Sequence, residues 1–242
     1  MHGPTHAPPP ARPRTANSPA SAARWLWTAL ALGTATLTVI LLVEAGWRPL
    51  LRVDGDVAGL LHAHALANPA WTGTNRVLTD WVWDPVTMRI LVGVAAVWVW
   101  LRGERLLALW CVATAALGVG VQQGLKALLD RERPQWQQPV DSAHFAAMPS
   151  GHSMTAAVAC VLVLWLVQRS GAGQALRATV LALVCISVAG VCLTRIVLGV
   201  HWLTDTVVGA MLGIALASAS AGLWISLENR KAAEPARTPA DD

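Results

Sequence analysis

Six apolar stretches, at about residues 25–43, 86–101, 105–125, 153–169, 177–198 and 204–227, leave this chain few ways to fold. Most approach the ~20 residues needed to cross a hydrocarbon core. The second is short and can extend into Trp81–Val86. Charged residues make up 13% of the chain, against roughly 25% in a soluble domain. That deficit implies a surface that mostly faces lipid. A soluble bundle with buried helices is the alternative, and the shortage of polar faces argues against it. The predicted fold class is therefore all-α, a polytopic bundle of six transmembrane helices forming one domain over 24–229. Residues 1–23 are rich in Pro, Ala, Ser and Thr and lack apolar periodicity, so they are expected to be a disordered tail. Residues 230–242 read as a short polar tail without chemistry.

The net charge of +4 matters less than where the basic residues lie. Arg12, Arg14 and Arg24 precede the first span, and Arg102 and Arg105 sit in the turn after the second. Arg169 and Arg177 lie between the fourth and fifth, and Arg230, Lys231 and Arg237 follow the sixth. The positive-inside rule makes these segments, and both termini, cytoplasmic. The other loops then face the extracytoplasmic side. The first span exceeds the roughly 7–15 residues of a signal-peptide core, so it is expected to be retained. Cys111, Cys160, Cys185 and Cys192 lie within apolar helices without ligand-like spacing. They read as small buried packing residues, and no zinc or haem signature is present.

Residues 44–85 are expected to be a long loop carrying a short surface helix over Asp56–Ala67, ended by Asn68-Pro69. His62 and His64 are two apart, do not share a helix face, and are expected to be solvated. Trp71, Trp81 and Trp83 read as interfacial anchors, since the chain has 13 Trp, no Tyr and one Phe. Gly120-x3-Gly124 and Gly209-x3-Gly213 are small-residue pairs that let helices approach closely, and both are expected to pack within the monomer.

Three short segments carry polar residues at the edges of apolar ones, where a charge is by default functional. The first is Lys126-x6-Arg133-Pro134. Pro134 cannot extend a helix, so the third span is expected to end there and present Arg133 at the membrane face. The second is Pro149-Ser150-Gly151-His152, just ahead of the fourth span. The Ser150 hydroxyl and the Gly151 N–H suit an anion at a helix start, and His152 can protonate a leaving alkoxide. The third is Arg195-x5-His201-x3-Asp205. An i, i+4 spacing puts His201 and Asp205 on one helix face. A carboxylate on one imidazole nitrogen holds the other as a nucleophile. Lys126, Arg133 and Arg195 supply three cations, and an Arg can grip two phosphate oxygens at once. Phosphoryl transfer needs such positioning and electrostatic stabilisation. Taken singly, each cation could be a snorkelling interfacial residue.

In this order and at these spacings the three segments resemble the signature of the type 2 phosphatidic acid phosphatase superfamily, in its integral membrane branch. The resemblance covers about 80 residues, from the end of the third span to the start of the sixth. It implies a metal-independent phosphatase, without cofactor, that acts through a phosphohistidine. His201 would be the nucleophile, Asp205 its orienting partner and His152 the acid. Lys126, Arg133, Ser150, Gly151 and Arg195 would hold the phosphate. The sequence departs from the pattern at Thr194, where the family has Ser. Asp130, Arg131, Asp141 and His144 fall outside it and receive no role.

The implied partners are a membrane lipid phosphate and the bilayer, and no nucleic acid. Phosphatidate, phosphatidylglycerophosphate and polyprenyl pyrophosphates are all open as substrates. Arg-over-Lys, Ala-rich usage is compatible with a GC-rich bacterium and hence its plasma membrane. A phosphotransferase with the same site, or a non-enzymatic lipid binder or transporter, are the competing readings. The lack of an inverted repeat and the clustering of charges at helix ends weigh against a transporter.

Overall fold

The computed structural model describes residues 18–233. Its described residues form eight α-helices and one π-helical turn, with no strand. They are α1 (Pro19–Glu44), α2 (Arg48–Ala67), α3 (Pro69–Val77), the π-turn (Leu78–Val82), α4 (Pro85–Leu101), α5 (Arg105–Leu129), α6 (Gly151–Arg169), α7 (Gln174–Val197) and α8 (Leu203–Ala233). Six segments are long and apolar enough to cross a membrane: α1, the run Pro69–Leu101, α5, α6, α7 and α8. Helices suit that setting because each satisfies its own backbone polar groups without water.

Several boundaries differ from the sequence reading. Helix α1 begins at Pro19, inside the stretch expected to be a disordered tail. Pro19 occupies the first turn, where its missing N–H costs nothing, and the Ser18 side chain accepts from the Ser21 N–H at 3.1 Å. Residues 1–17 and 234–242, which hold the rest of both expected tails, lie outside the described residues. Helix α8 runs on to Ala233, past the expected start of the C-terminal tail.

The largest difference is at 44–85, which is helical almost throughout. Pro49 and Pro69 open α2 and α3 from their first turns. The second span begins at Pro69, and Trp83 ends the π-turn through a bond to the Leu78 carbonyl. Helix α2 buries Asp54, Ala58, His62 and Ala65, a stripe at helical spacing. His62 is thus buried, not solvated. Its ring stacks on Trp136 at 4.0 Å between centroids.

Helices α6 and α8 form the centre. Of their membrane-spanning windows 67% and 61% are buried, against 33% or less for the others. Gly209 and Gly213 make this possible. A Cβ at Gly209 would sit 2.6 Å from the Ser150 carbonyl oxygen, and one at Gly213 would sit 2.6 Å from that of Met154. Gly120 and Gly124 have nothing within 4 Å, so that pair does not pack within the monomer as expected. Helix α1 lies along α8, with Gly222 admitting Leu26 and the Ala22 carbonyl. Helix α4 packs on α5 and α6, and Trp83 fills the space above Gly190 of α7. Cys111 and Cys160 are buried as expected, but Cys185 is exposed and Cys192 only half-buried.

At one end of the bundle Arg169 closes α6 by bonding Glu104 at 2.7 Å and Glu228 at 2.6 Å. This ties the α4–α5 turn, the α6 terminus and α8 together. All three motif segments lie at the other end, with α2.

Candidate active site

Helix α5 ends at Leu129, ahead of Pro134. Asp130 takes the left-handed conformation (φ 39°) and closes the helix on the Lys126 carbonyl. Lys126 therefore stands in the last turn, and Arg131 to Pro134 leave the helix. Lys126 Nζ donates to the Ala146 carbonyl. Arg133 donates through Nε to the Phe145 carbonyl at 2.9 Å and through NH1 to the Val200 carbonyl at 2.5 Å. Its NH2 reaches the carbonyls of His144 and Ala146 at 3.2 and 3.4 Å. Two of the three expected phosphate cations thus converge on one loop, and backbone oxygens satisfy them.

The turn between α7 and α8 carries His201. Gly199 (φ +71°) makes it possible, because a Cβ there would lie 2.7 Å from the Trp136 indole nitrogen and 3.1 Å from His62 Nδ1. Trp136 donates to the Gly199 carbonyl at 2.8 Å and pins the turn. His201 precedes α8 instead of sharing its face with Asp205, which lies in the first helical turn. The pair still meets, with Nδ1 3.4 Å from Asp205 Oδ2. Arg133 NH1 lies 3.3 Å from His201 Nε2. A guanidinium can only donate, so Nε2 is the acceptor and Nδ1 carries the proton that faces Asp205. His201 is 2% exposed. Burial, and then the charges of Arg133, Arg195 and Lys126, hold its pKa well below the ordinary histidine range. Burial also lowers that of Arg133, partly offset by Asp205.

The Pro-Ser-Gly-His segment joins the other two at the start of α6. The Ser150 N–H donates to the Asp205 carbonyl at 3.0 Å. Ser150 occupies the N-cap position without a side-chain cap bond, and its hydroxyl accepts from Ser153 at 3.2 Å. A Cβ at Gly151 would meet the Gln122 amide at 2.7 Å, so this corner admits only glycine without a shift. His152 follows, close enough to Arg195, Arg133 and Lys126 for their charges to act on it.

Arg195 is buried near the end of α7. Its NH1 donates to Thr79 of the π-turn at 3.3 Å, and its Nε has no partner among the described residues. A buried guanidinium N–H left open marks the place for an acceptor. Thr194 is turned away, with its hydroxyl donating to the Val191 carbonyl at 2.9 Å.

Sequence reasoning missed Asp54 and Arg131. Arg131 bridges Asp54 at 2.7 Å and Asp205 at 2.6 Å. Its signal was a charge inside the first motif. Asp54 gave no signal beyond its place on the buried stripe of α2.

The sequence profile of the PAP2 superfamily matches residues 106–227, which take in all three segments. The chain belongs to the PAP2 superfamily. A search of curated proteins finds no significant match. Among solved structures the chain is similar to a transmembrane PAP2 type phosphatidylglycerolphosphate phosphatase from Bacillus subtilis. The identity is 18% and the TM-score 0.67, over 85% of this chain and 97% of the other. That likeness concerns the fold alone.

Proposed function

We propose that this PAP2 protein hydrolyses the phosphate or pyrophosphate of a membrane lipid through a phosphohistidine formed on His201. The observation that carries the reading is the state of that imidazole. Its Nδ1 lies 3.4 Å from Asp205 Oδ2 and its Nε2 3.3 Å from Arg133 NH1, which leaves Nε2 facing the cations that would hold the phosphate. A substrate phosphate takes the donors of Lys126, Arg133 and Arg195 in place of loop carbonyls. Nε2 then attacks phosphorus, and the bond to the lipid oxygen breaks. His152 gives that oxygen its proton. In the second step His152 takes a proton from water, whose oxygen displaces the imidazole and releases inorganic phosphate. Ser150 and the Gly151 N–H at the start of α6 complete the cradle.

A lipid is favoured because the site lies at one end of six apolar spans. The distribution of basic residues supports an extracytoplasmic site with both ends of the chain in the cytoplasm. Phosphatidylglycerophosphate is the first substrate to try, with phosphatidate and a polyprenyl pyrophosphate beside it. The test is phosphate release by detergent-purified protein with EDTA present, comparing wild type with His201→Ala. Release by wild type alone, with acid-labile label on the protein, is expected. Full activity in His201→Ala would overturn the reading.

A further inference from the structure

We propose that Asp54 and Arg131 are positioning residues of this reaction, acting through Asp205 on His201, and that α2 serves to deliver Asp54 to Arg131. The inference rests on the reading of His201 as nucleophile. Asp205 has both oxygens committed. Oδ2 accepts from the Trp202 N–H at 2.9 Å and faces His201, while Oδ1 accepts from Arg131 at 2.6 Å. With Oδ1 held, the carboxylate can offer only Oδ2 to the imidazole. Its rotation, and with it the direction of the Nε2 lone pair, depends on where Arg131 stands.

Asp54 fixes Arg131. The guanidinium forks, with NH1 on Asp205 and the Thr204 hydroxyl and NH2 on Asp54. A lysine ammonium cannot reproduce that planar fork. Asp54 Oδ1 accepts from the Thr204 N–H at 2.8 Å, and Oδ2 accepts from the Thr204 hydroxyl at 2.6 Å. Asp54 thereby caps the start of α8, whose first amides have no partner in their own helix. One side chain from α2 thus sets the helix that carries Asp205 and the cation that orients it.

Burial argues for a function beyond holding α2 in place. Asp54 and Asp205 are at most 1% exposed, and Thr204 is 4% exposed. Two buried carboxylates sharing one guanidinium are seldom more stable than apolar residues of the same shape. Simple docking of α2 would be served better by an apolar contact. Neither Asp54 nor Arg131 bonds to Lys126, Arg133 or Arg195, so neither belongs to the phosphate cradle.

Asp54→Asn keeps the shape and removes the charge. Its effect is read as kcat and KM for phosphatidylglycerophosphate in detergent, with folding followed by thermal melting. By analogy with groups that orient metal ligands, kcat is expected to fall about 10- to 100-fold with KM nearly unchanged. In an Asp205→Asn background the same change is expected to cost nothing further, because its effect passes through Asp205. Thr204→Val removes the hydroxyl's two bonds, to Asp54 and from Arg131, without touching charge. It decides the matter if Asp54→Asn does not fold, with a smaller kcat loss that also vanishes in Asp205→Asn. A wild-type kcat, a matching rise in KM, or losses that multiply in the double variant each overturn the proposal. His201→Ala is measured in the same series. If it stays active, the nucleophile reading fails and this inference with it. If it is dead while Asp54→Asn and Thr204→Val are wild type, only this inference fails.

Discussion

Replacing Gly209 by alanine tests whether the contact between α6 and α8 sets the geometry of the site. The new methyl would lie 2.6 Å from the Ser150 carbonyl oxygen and 3.3 Å from both the Ser150 nitrogen and the Ser153 Cβ. None of these is the free end of a flexible side chain, so the helices must part. Backing off to an ordinary contact of 3.4 Å moves them by about 0.8 Å. The separation falls where the Ser150 N–H meets the Asp205 carbonyl, between His152 in the first turn of α6 and the His201–Asp205 pair at the start of α8. Overpacking costs about 1–3 kcal/mol, and replacing a helical glycine returns up to about 1 kcal/mol. The protein should therefore still fold. A misplacement of about 1 Å costs catalysis about 100-fold, so kcat should fall by one to two orders of magnitude while melting moves little. Gly120→Ala is the matched control, because nothing lies within 4 Å of it. It should leave kcat unchanged. Phosphate release and thermal melting of both variants in detergent give the answer. A wild-type kcat in Gly209→Ala, or an equal loss in Gly120→Ala, would refute the argument.

Three further outcomes follow from the site. His201 stays unprotonated in the folded protein, whereas an unfolded histidine takes up a proton below about pH 6.5. The unfolded state then binds more protons, so this residue's contribution to stability is complete above that pH and falls away below it. Removing one cation with Arg133→Gln should raise the His201 pKa and move the acid limb of kcat/KM to higher pH. A limb that stays put or moves down would contradict the electrostatic account. Thr194→Ser should change kcat and KM by no more than about twofold, because the hydroxyl bonds within α7, and should cost up to about 0.8 kcal/mol for the lost buried methyl. A large loss of activity, measured by the same assay, would mean that the hydroxyl reaches the phosphate.

The six spans could be read from the sequence because lipid leaves little choice. A run of apolar residues long enough to cross must be a helix, and a charge near its end needs a reason. The same logic marked Lys126, Arg195, His201 and Asp205. It failed where burial was arranged by partners distant in the chain. Asp54 bonds Thr204 across 150 residues, and no local pattern connects them. Arg131 sits between Asp130 and Glu132 and reads as part of a solvated charged run. Helix α2 was expected only over Asp56–Ala67 and on the surface, because its buried stripe carries Asp54 and His62 alongside alanines. The glycine pairs make the same point, since their spacing is identical and only the environment separates Gly209 and Gly213 from Gly120 and Gly124.

The pairing of α1 with α8 sets an order of assembly during synthesis. Helix α1 precedes every other described helix and must wait in lipid for α8, which follows them all. Only 6% of its spanning window is buried even in the finished molecule. The arrival of α8 gives α1 its partner, slots Gly209 and Gly213 against α6, and brings Asp205 beneath His201. Closure of the bundle and completion of the site are therefore one event. A chain that stalls before residue 203 holds the cations and both histidines but has neither Asp205 nor a closed bundle. On the proposed mechanism such a product would lack the carboxylate that orients the nucleophile, and the site would be complete only once α8 is in place.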